Sequence, residues 1–206
     1  FSDNGGYGPA TDMEPLKGYK GTYYEGGIRV PFFVKWPGVV KPGSKTDVPV
    51  IGVDMYPTLC EIAGAELPKN QPVDGVSLVP LLSGKVDTLG DRAIYWHFPA
   101  YLESYSVYGE QRDPLFRSRP CSIIRVGDWK LHQYFEDGGI ELYNLKDDIS
   151  ESHDLSQEKP EVRRALLSQL QNWQKEAGAP IPDQPNPEFD AEAEKKAIAK
   201  KQKSPN

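Results

Sequence analysis

Gly18-Tyr19-Lys20-Gly21-Thr22-Tyr23-Tyr24-Glu25-Gly26-Gly27-Ile28-Arg29-Val30-Pro31 is the stretch whose reading decides the fold. Lys20 stands between glycines, so little side-chain bulk shields its ammonium. Such a compact point charge is suited to meeting an oxyanion. The plain alternative is a solvated loop lysine, the usual fate of this residue type. From Ile28 to Trp36 the chain turns apolar and rich in β formers, with Pro31 near the start of the run. That pattern predicts a buried strand of a parallel sheet, ended by Pro37-Gly38.

Upstream lies Phe1-Ser2-Asp3-Asn4-Gly5-Gly6. Phe1-Ser2 reads as the last step of a buried strand, so a longer parent protein is expected. Ligand sites of open α/β sheets lie beyond the carboxyl ends of strands. Asp3 and Asn4 offer hard oxygen donors of the kind Ca²⁺ or Mg²⁺ accepts. An Asp-Asn-Gly turn without a ligand reads equally well from these residues alone.

Downstream, Asp54 is placed to cap a helix whose Tyr56, Leu59, Cys60 and Ala63 fall on one stripe, with Gly64 as its stop. Residues 65–91 read as loop with a short apolar turn at 79–82. Residues 93–98, 121–126, 129–135 and 140–145 read as strands, and Gly127-Asp128 as a two-residue turn. Val162, Leu166, Leu170 and Trp173 line one face of a helix that Gly178 ends, placed to cover one face of this antiparallel meander. The fold class is therefore α/β over residues 1–90, a partial open sheet, followed by an α+β subdomain over 91–178. Residues 179–206, with Pro180, Pro182, Pro185 and Pro187, form a flexible tail carrying at most a short lysine-rich helix.

The 206 residues are 38% hydrophobic and 11% aromatic, enough for a packed core. A net charge of −6 offers no positive field for nucleic acid. No apolar run is long enough to span a membrane. Cys60 and Cys121 are too few for a disulfide framework and read as buried thiols.

Taken in order, these blocks resemble the sulfatases of the alkaline-phosphatase-like superfamily. They are Asp3-Asn4-Gly5-Gly6, the Lys20 to Pro31 motif, Asp54-Met55-Tyr56-Pro57-Thr58-Leu59-Cys60, and Asp74-Gly75-Val76-Ser77-Leu78 with Leu81-Leu82. Gly127-Asp128-Trp129-Lys130-Leu131 and Glu141-Leu142-Tyr143-Asn144-Leu145 complete the set. The resemblance covers about residues 1–175 and corresponds to the C-terminal portion of such an enzyme. It implies that Asp3 and Asn4 complete a Ca²⁺ site, Mg²⁺ being the alternative, whose other ligands lie upstream. It implies that Lys20 binds a sulfate oxygen. It further implies a formylglycine nucleophile in the missing N-terminal portion, an aryl or carbohydrate sulfate as substrate, and a periplasmic or secreted setting.

One departure matters. The family nucleophile lies in Cys-x-Pro-x-Arg or a close variant, whereas Cys121-Ser122-Ile123-Ile124-Arg125 lacks the proline and reads as a meander strand. It is rejected as the nucleophile, and this chain alone is expected to be inactive. His97 lies at the end of a strand and precedes a long aromatic loop, 99–119, with Tyr101, Tyr105, Tyr108, Arg112, Arg117 and Arg119. It reads as a candidate substrate contact or as a structural histidine. Asp147, Asp148, Glu151 and Asp154 read as a solvated acidic turn more readily than as a second cation site. Two rival functions are a phosphodiesterase or phosphonate monoester hydrolase of the same superfamily, and a glycan-binding module built on the 99–119 loop.

Overall fold

The Gly127-Asp128 turn forms where the sequence places it, with Gly127 in the left-handed region at φ 55°. It joins β4 (Cys121–Val126) to β5 (Trp129–Tyr134), paired so that Val126 opposes Trp129 and Cys121 opposes Tyr134. β6 (Ile140–Asn144) returns beside β5, with Leu131 opposite Leu142. β1 (Ala93–Phe98) lies on the other side of β4, giving the order β1-β4-β5-β6. A second ribbon pairs β2 (Leu102–Glu103) with β3 (Phe116–Ser118). The structure is a computed structural model that describes residues 1–103 and 112–202. Tyr105 and Tyr108 of the aromatic loop lie outside the described residues.

Two compact units divide the chain: residues 1–31 with 95–206, and residues 32–94. The first contains the meander. Because successive strand residues point to opposite faces, Ser122, Ile124, Leu131, Gln133 and Leu142 share one face, and Cys121, Ile123, Lys130, His132, Tyr134, Glu141 and Tyr143 share the other. The first face is covered by α4 (Pro160–Glu176), which packs on β4 and β5. Leu166 and Leu170 of α4 are buried, and Gln174 bonds Gln133 at 2.9 Å. Gly178, at φ 62°, stops this helix as expected. The second face is covered by residues 17–28, through Tyr23, Tyr24 and Glu25. A helix α5 (Ala191–Gln202) forms within the proline-bearing tail, and its Glu194 meets Arg119 at 3.0 Å.

The strand expected over residues 28–36 is absent. Ile28 instead ends α1 (Glu25–Ile28), a single helical turn, and residues 29–36 pair with no strand among the described residues. Phe33 is 86% exposed, and Phe1 likewise stands in solvent rather than in a core strand. A strand is stabilised by a paired neighbour, and the described residues supply none here.

The second unit is organised by one carboxylate. Asp54 sits at the N-cap position of α2 (Met55–Ala63) but makes no cap bond. Its oxygens instead accept the backbone N–H groups of Ile51 (2.9 Å) and Val76 (3.0 Å) and two bonds from Arg92. Burial raises the Asp54 pKa, but the Arg92 bonds and the two backbone donors outweigh it and hold the group below its ordinary value. Thr58 reinforces the clamp, donating to the Asp54 carbonyl and accepting from Leu78 N–H, just before α3 (Val79–Leu82). The α2 stripe is not buried within this unit: Tyr56, Leu59 and Ala63 are exposed and Cys60 is half-buried, while Pro57 and Thr58 are buried. Removing one member of a buried ion pair typically costs about 3 kcal/mol. Asp54→Ala is therefore expected to speed amide exchange across Met55–Ala63 by roughly a hundredfold, and unchanged protection would refute this account of the clamp.

Candidate functional site

Lys20 is presented by a turn closed on itself. Thr22 N–H donates to the Tyr19 carbonyl at 2.9 Å, and the Thr22 hydroxyl bonds both the Tyr19 carbonyl and the Tyr19 N–H. Thr22 is buried and Lys20 exposed, so the turn holds its polar residue inside and projects the lysine outward. From β3, Ser118 donates to the Gly21 carbonyl and Arg117 to the Lys20 carbonyl. Lys20 forms no ion pair with a carboxylate among the described residues.

The glycines of the motif serve close backbone approach. A Cβ on Gly26 would lie 2.2 Å from the Gly18 carbonyl oxygen, and one on Gly5 would lie 1.9 Å from the Gly26 carbonyl oxygen. This packing brings the Asp3-Asn4 stretch to the lysine turn. Gly5 N–H donates to the Gly27 carbonyl at 2.9 Å, and Lys20 N–H donates to the Gly6 carbonyl at 2.8 Å. Asp3 is exposed and Asn4 half-buried, with the Asn4 amide donating to Asp3 Oδ2 at 2.7 Å. Two oxygen donors fit part of a Ca²⁺ shell, which takes six to eight. No group of three or more His, Cys, Asp or Glu able to hold a metal exists among the described residues.

His97 is not brought to these three. It lies on the α4 side of the sheet, within 6.4 Å of the Trp173 ring, while Trp96 and Phe98 face the residue 17–28 side. Both its ring nitrogens are engaged, Nδ1 with the Ser122 hydroxyl at 2.7 Å and Nε2 with the Pro180 carbonyl at 3.0 Å. The arginines of the 99–119 loop are also held internally. Arg112 pairs with Asp137 and Glu141 and covers the Tyr134 ring, while Arg119 pairs with Asp113, Glu136 and Glu194.

Residues that sequence reading passed over support the turn from beneath. Glu25, Lys130 and Glu151 are fully buried. Lys130 Nζ lies 3.0 Å from Glu25 Oε1 and 2.9 Å from Glu151 Oε1, and Glu151 Oε2 accepts the Glu25 N–H at 2.5 Å. Lys17 donates to the Glu151 carbonyl, with its ammonium over the Tyr24 ring at 4.2 Å. Among the described residues Glu25 Oε2 accepts no hydrogen bond and is balanced by the Arg29 and Arg125 guanidinium groups, 3.5 and 3.7 Å away. Beside this group the Tyr24, Tyr134 and Tyr143 hydroxyls converge on Glu141 Oε2. Burial, then the neighbouring Tyr134 and Glu141 charges, pushes the Tyr24 phenol far above its usual value.

The acidic turn is thus only partly solvated. Asp148 and Asp154 bond backbone N–H groups, whereas Glu151 turns inward with an unusual φ of 50°. A lysine on a predicted strand, at the parity of its buried Ile and His neighbours, was the one available signal. The Cys121 thiol is buried and pushed up to about 12, first by desolvation and then by Glu141. That removes it further from a nucleophile's role. A thiol reagent is expected to label half-buried Cys60 in the folded chain and Cys121 only on unfolding; early Cys121 labelling would contradict the burial.

Burial alone would raise the Glu151 pKa, but the Lys130 charge, His132 and the Glu25 N–H outweigh it and hold the carboxyl below its ordinary 4.5. The stability it contributes is therefore complete above about pH 4.5 and is lost as pH falls through the lower folded value. Glu151→Gln should be less stable than the parent near neutrality, and the gap should narrow on acidification. Urea unfolding of both proteins across that range measures it, and a gap that widens on acidification would exclude this assignment.

Comparison with known proteins identifies the segment. The family model for the N-sulphoglucosamine sulphohydrolase C-terminal region matches residues 19–176, which include Lys20 but not Asp3 or Asn4. A sulfatase of Formosa agariphila is 40% identical over 181 residues, 84% of this chain and 31% of that protein. The Homo sapiens steryl-sulfatase is 41% identical over 88 residues, 43% of this chain and 15% of the relative. Among solved structures, Ps i-CgsB in complex with k-i-k-neocarrahexaose superposes with a TM-score of 0.67 at 27% identity, covering 99% of this chain and 40% of that one. BT4656 in complex with its substrate D-glucosamine-2-N,6-O-disulfate superposes at 0.61 and 28% identity, covering 79% and 31%. The chain spans about a third of the length of the curated Formosa relative.

Proposed function

The chain belongs to the sulfatase family, and we propose that it forms the lysine-bearing side of a sulfuric-ester hydrolase site that releases inorganic sulfate from a carbohydrate or aryl sulfate. The observation that carries this reading is the pair of backbone bonds, Gly5 to Gly27 and Lys20 to Gly6, which join the Asp3-Asn4 stretch to the Lys20 turn. Solved relatives in complex with a neocarrahexaose and with a disulfated glucosamine support the carbohydrate class.

In this reading Lys20, exposed and free of any carboxylate partner among the described residues, meets a sulfate oxygen and stabilises the negative charge that grows as the S–O bond breaks. Asp3 and Asn4 are the residues of this chain that would hold Ca²⁺, with Mg²⁺ as the alternative hard cation. When bound, such a cation supplies further positive charge beside the sulfate oxygens. The remaining metal ligands and a formylglycine nucleophile belong, in this proposal, to an N-terminal portion of the same enzyme. The 206 residues by themselves are then inactive.

Removal of a single charge-stabilising donor typically lowers kcat by roughly a hundred- to a thousandfold. In the intact enzyme, Lys20→Ala is expected to fall by that amount in turnover of a chromogenic aryl sulfate. Chelation of the divalent cation should also abolish turnover, and added Ca²⁺ should restore it. Sulfate release by Lys20→Ala at the parent rate would sink the proposal. So would appreciable turnover by the purified 206-residue chain.

A further inference from the structure

The buried charges beneath the lysine turn invite a question of cost. Moving a carboxylate or ammonium out of water costs several kcal/mol, and an apolar replacement of similar volume is often no less stable. Here two carboxylates and a lysine are buried together, and one carboxylate oxygen, Glu25 Oε2, has no hydrogen bond among the described residues. Glu151 also holds a left-handed backbone at φ 50°, the only such non-glycine among the described residues. Strain of this kind persists only where the surroundings over-determine it. An arrangement this costly is a poor device for stability alone.

The geometry connects it to Lys20. Glu151 grips residues 17–28 at two points, through its Oε2 at the Glu25 N–H and through its carbonyl at the Lys17 ammonium. Lys130, rising from the central strand β5, ties Glu151 to the Glu25 side chain. The two gripped residues bracket the Tyr19–Thr22 turn. Lys17 and Glu25 are themselves drawn together by Gly26 N–H, which donates to the Lys17 carbonyl at 2.8 Å. The base of the turn is therefore fixed to buried Glu151 of the acidic turn and, through Lys130, to β5 of the sheet.

We propose that Glu151 and Lys130 are positioning residues, which lock the base of the turn to the sheet and so fix Lys20 where it meets the sulfate. The inference rests on the reading of Lys20 given above. Neither residue touches substrate; each acts through residues 17–25. Misplacing a charge-stabilising group by about 1 Å is enough to cost roughly a hundredfold in rate.

The test uses the intact enzyme with Glu151→Gln, Lys130→Met, Lys17→Gln and Lys20→Ala, assayed on a chromogenic aryl sulfate. Amide exchange at Lys20 and Glu25 is measured on the same preparations. Glu151→Gln and Lys130→Met are expected to lower kcat by roughly a hundredfold with KM within about twofold, and to speed exchange at both amides. Lys17→Gln leaves no buried charge unpaired, so it keeps the test decisive if the first two fail to fold; it should show the same pattern at smaller size. A normal kcat in folded Glu151→Gln and Lys17→Gln, with Lys20→Ala collapsed, overturns the positioning role and leaves the sulfate reading intact. A normal kcat in Lys20→Ala overturns the sulfate reading itself, and the positioning role falls with it. A raised KM with kcat preserved in Glu151→Gln and Lys17→Gln overturns the positioning role alone, since that marks general disturbance of binding.

Discussion

The three-way contact of Glu25, Lys130 and Glu151 is the constraint on which the meander unit depends. It joins a turn near the start of the chain, a central strand and an acidic loop separated from that turn by 126 residues. Removing one partner would leave the buried charges of the others poorly compensated, so none of the three segments can leave without heavy cost. The sheet thereby gains a polar face that is as firmly covered as its apolar one. α4 covers the first face by burying Leu166 and Leu170, and residues 17–28 cover the second by pairing charge and phenol groups.

That division of faces explains the placement of the candidate residues. Alternation along β1 sends Trp96 and Phe98 toward the residue 17–28 side and His97 toward α4, where its two nitrogens are occupied by Ser122 and Pro180. Lys20, on the opposite side of the sheet, sits at the tip of a turn whose Tyr19 and Thr22 are buried and whose lysine side chain is exposed. Arg112 and Arg119 of the aromatic loop are held in the same way within the fold, paired with Asp113, Glu136, Asp137, Glu141 and Glu194.

Unit 2 uses the same device on a smaller scale. Asp54 replaces the expected helix cap by a clamp on Ile51, Val76 and Arg92. Both units thus rely on a buried carboxylate that accepts backbone N–H, two groups at Asp54 and one at Glu151, and pairs with a cation. In both, burial alone would raise the acid's pKa, and the collected donors reverse it.

The sequence by itself determined the meander boundaries, the α4 stripe, the Gly127 turn and the motif around Lys20. These follow from local periodicity, turn chemistry and the spacing of glycines, all of which act over a few residues. Only the tertiary structure decided that Ile28 ends a helical turn instead of opening a strand, because a strand is defined by a partner. It also decided that the α2 stripe stays exposed in its unit, that His97 faces α4, and that Glu151 leaves an acidic turn to meet Lys130. Periodicity states which residues share a face, but not what covers that face. A charge pairing across more than a hundred residues leaves almost no local trace, here only a lysine at a buried strand position, and that pairing holds the turn that carries Lys20.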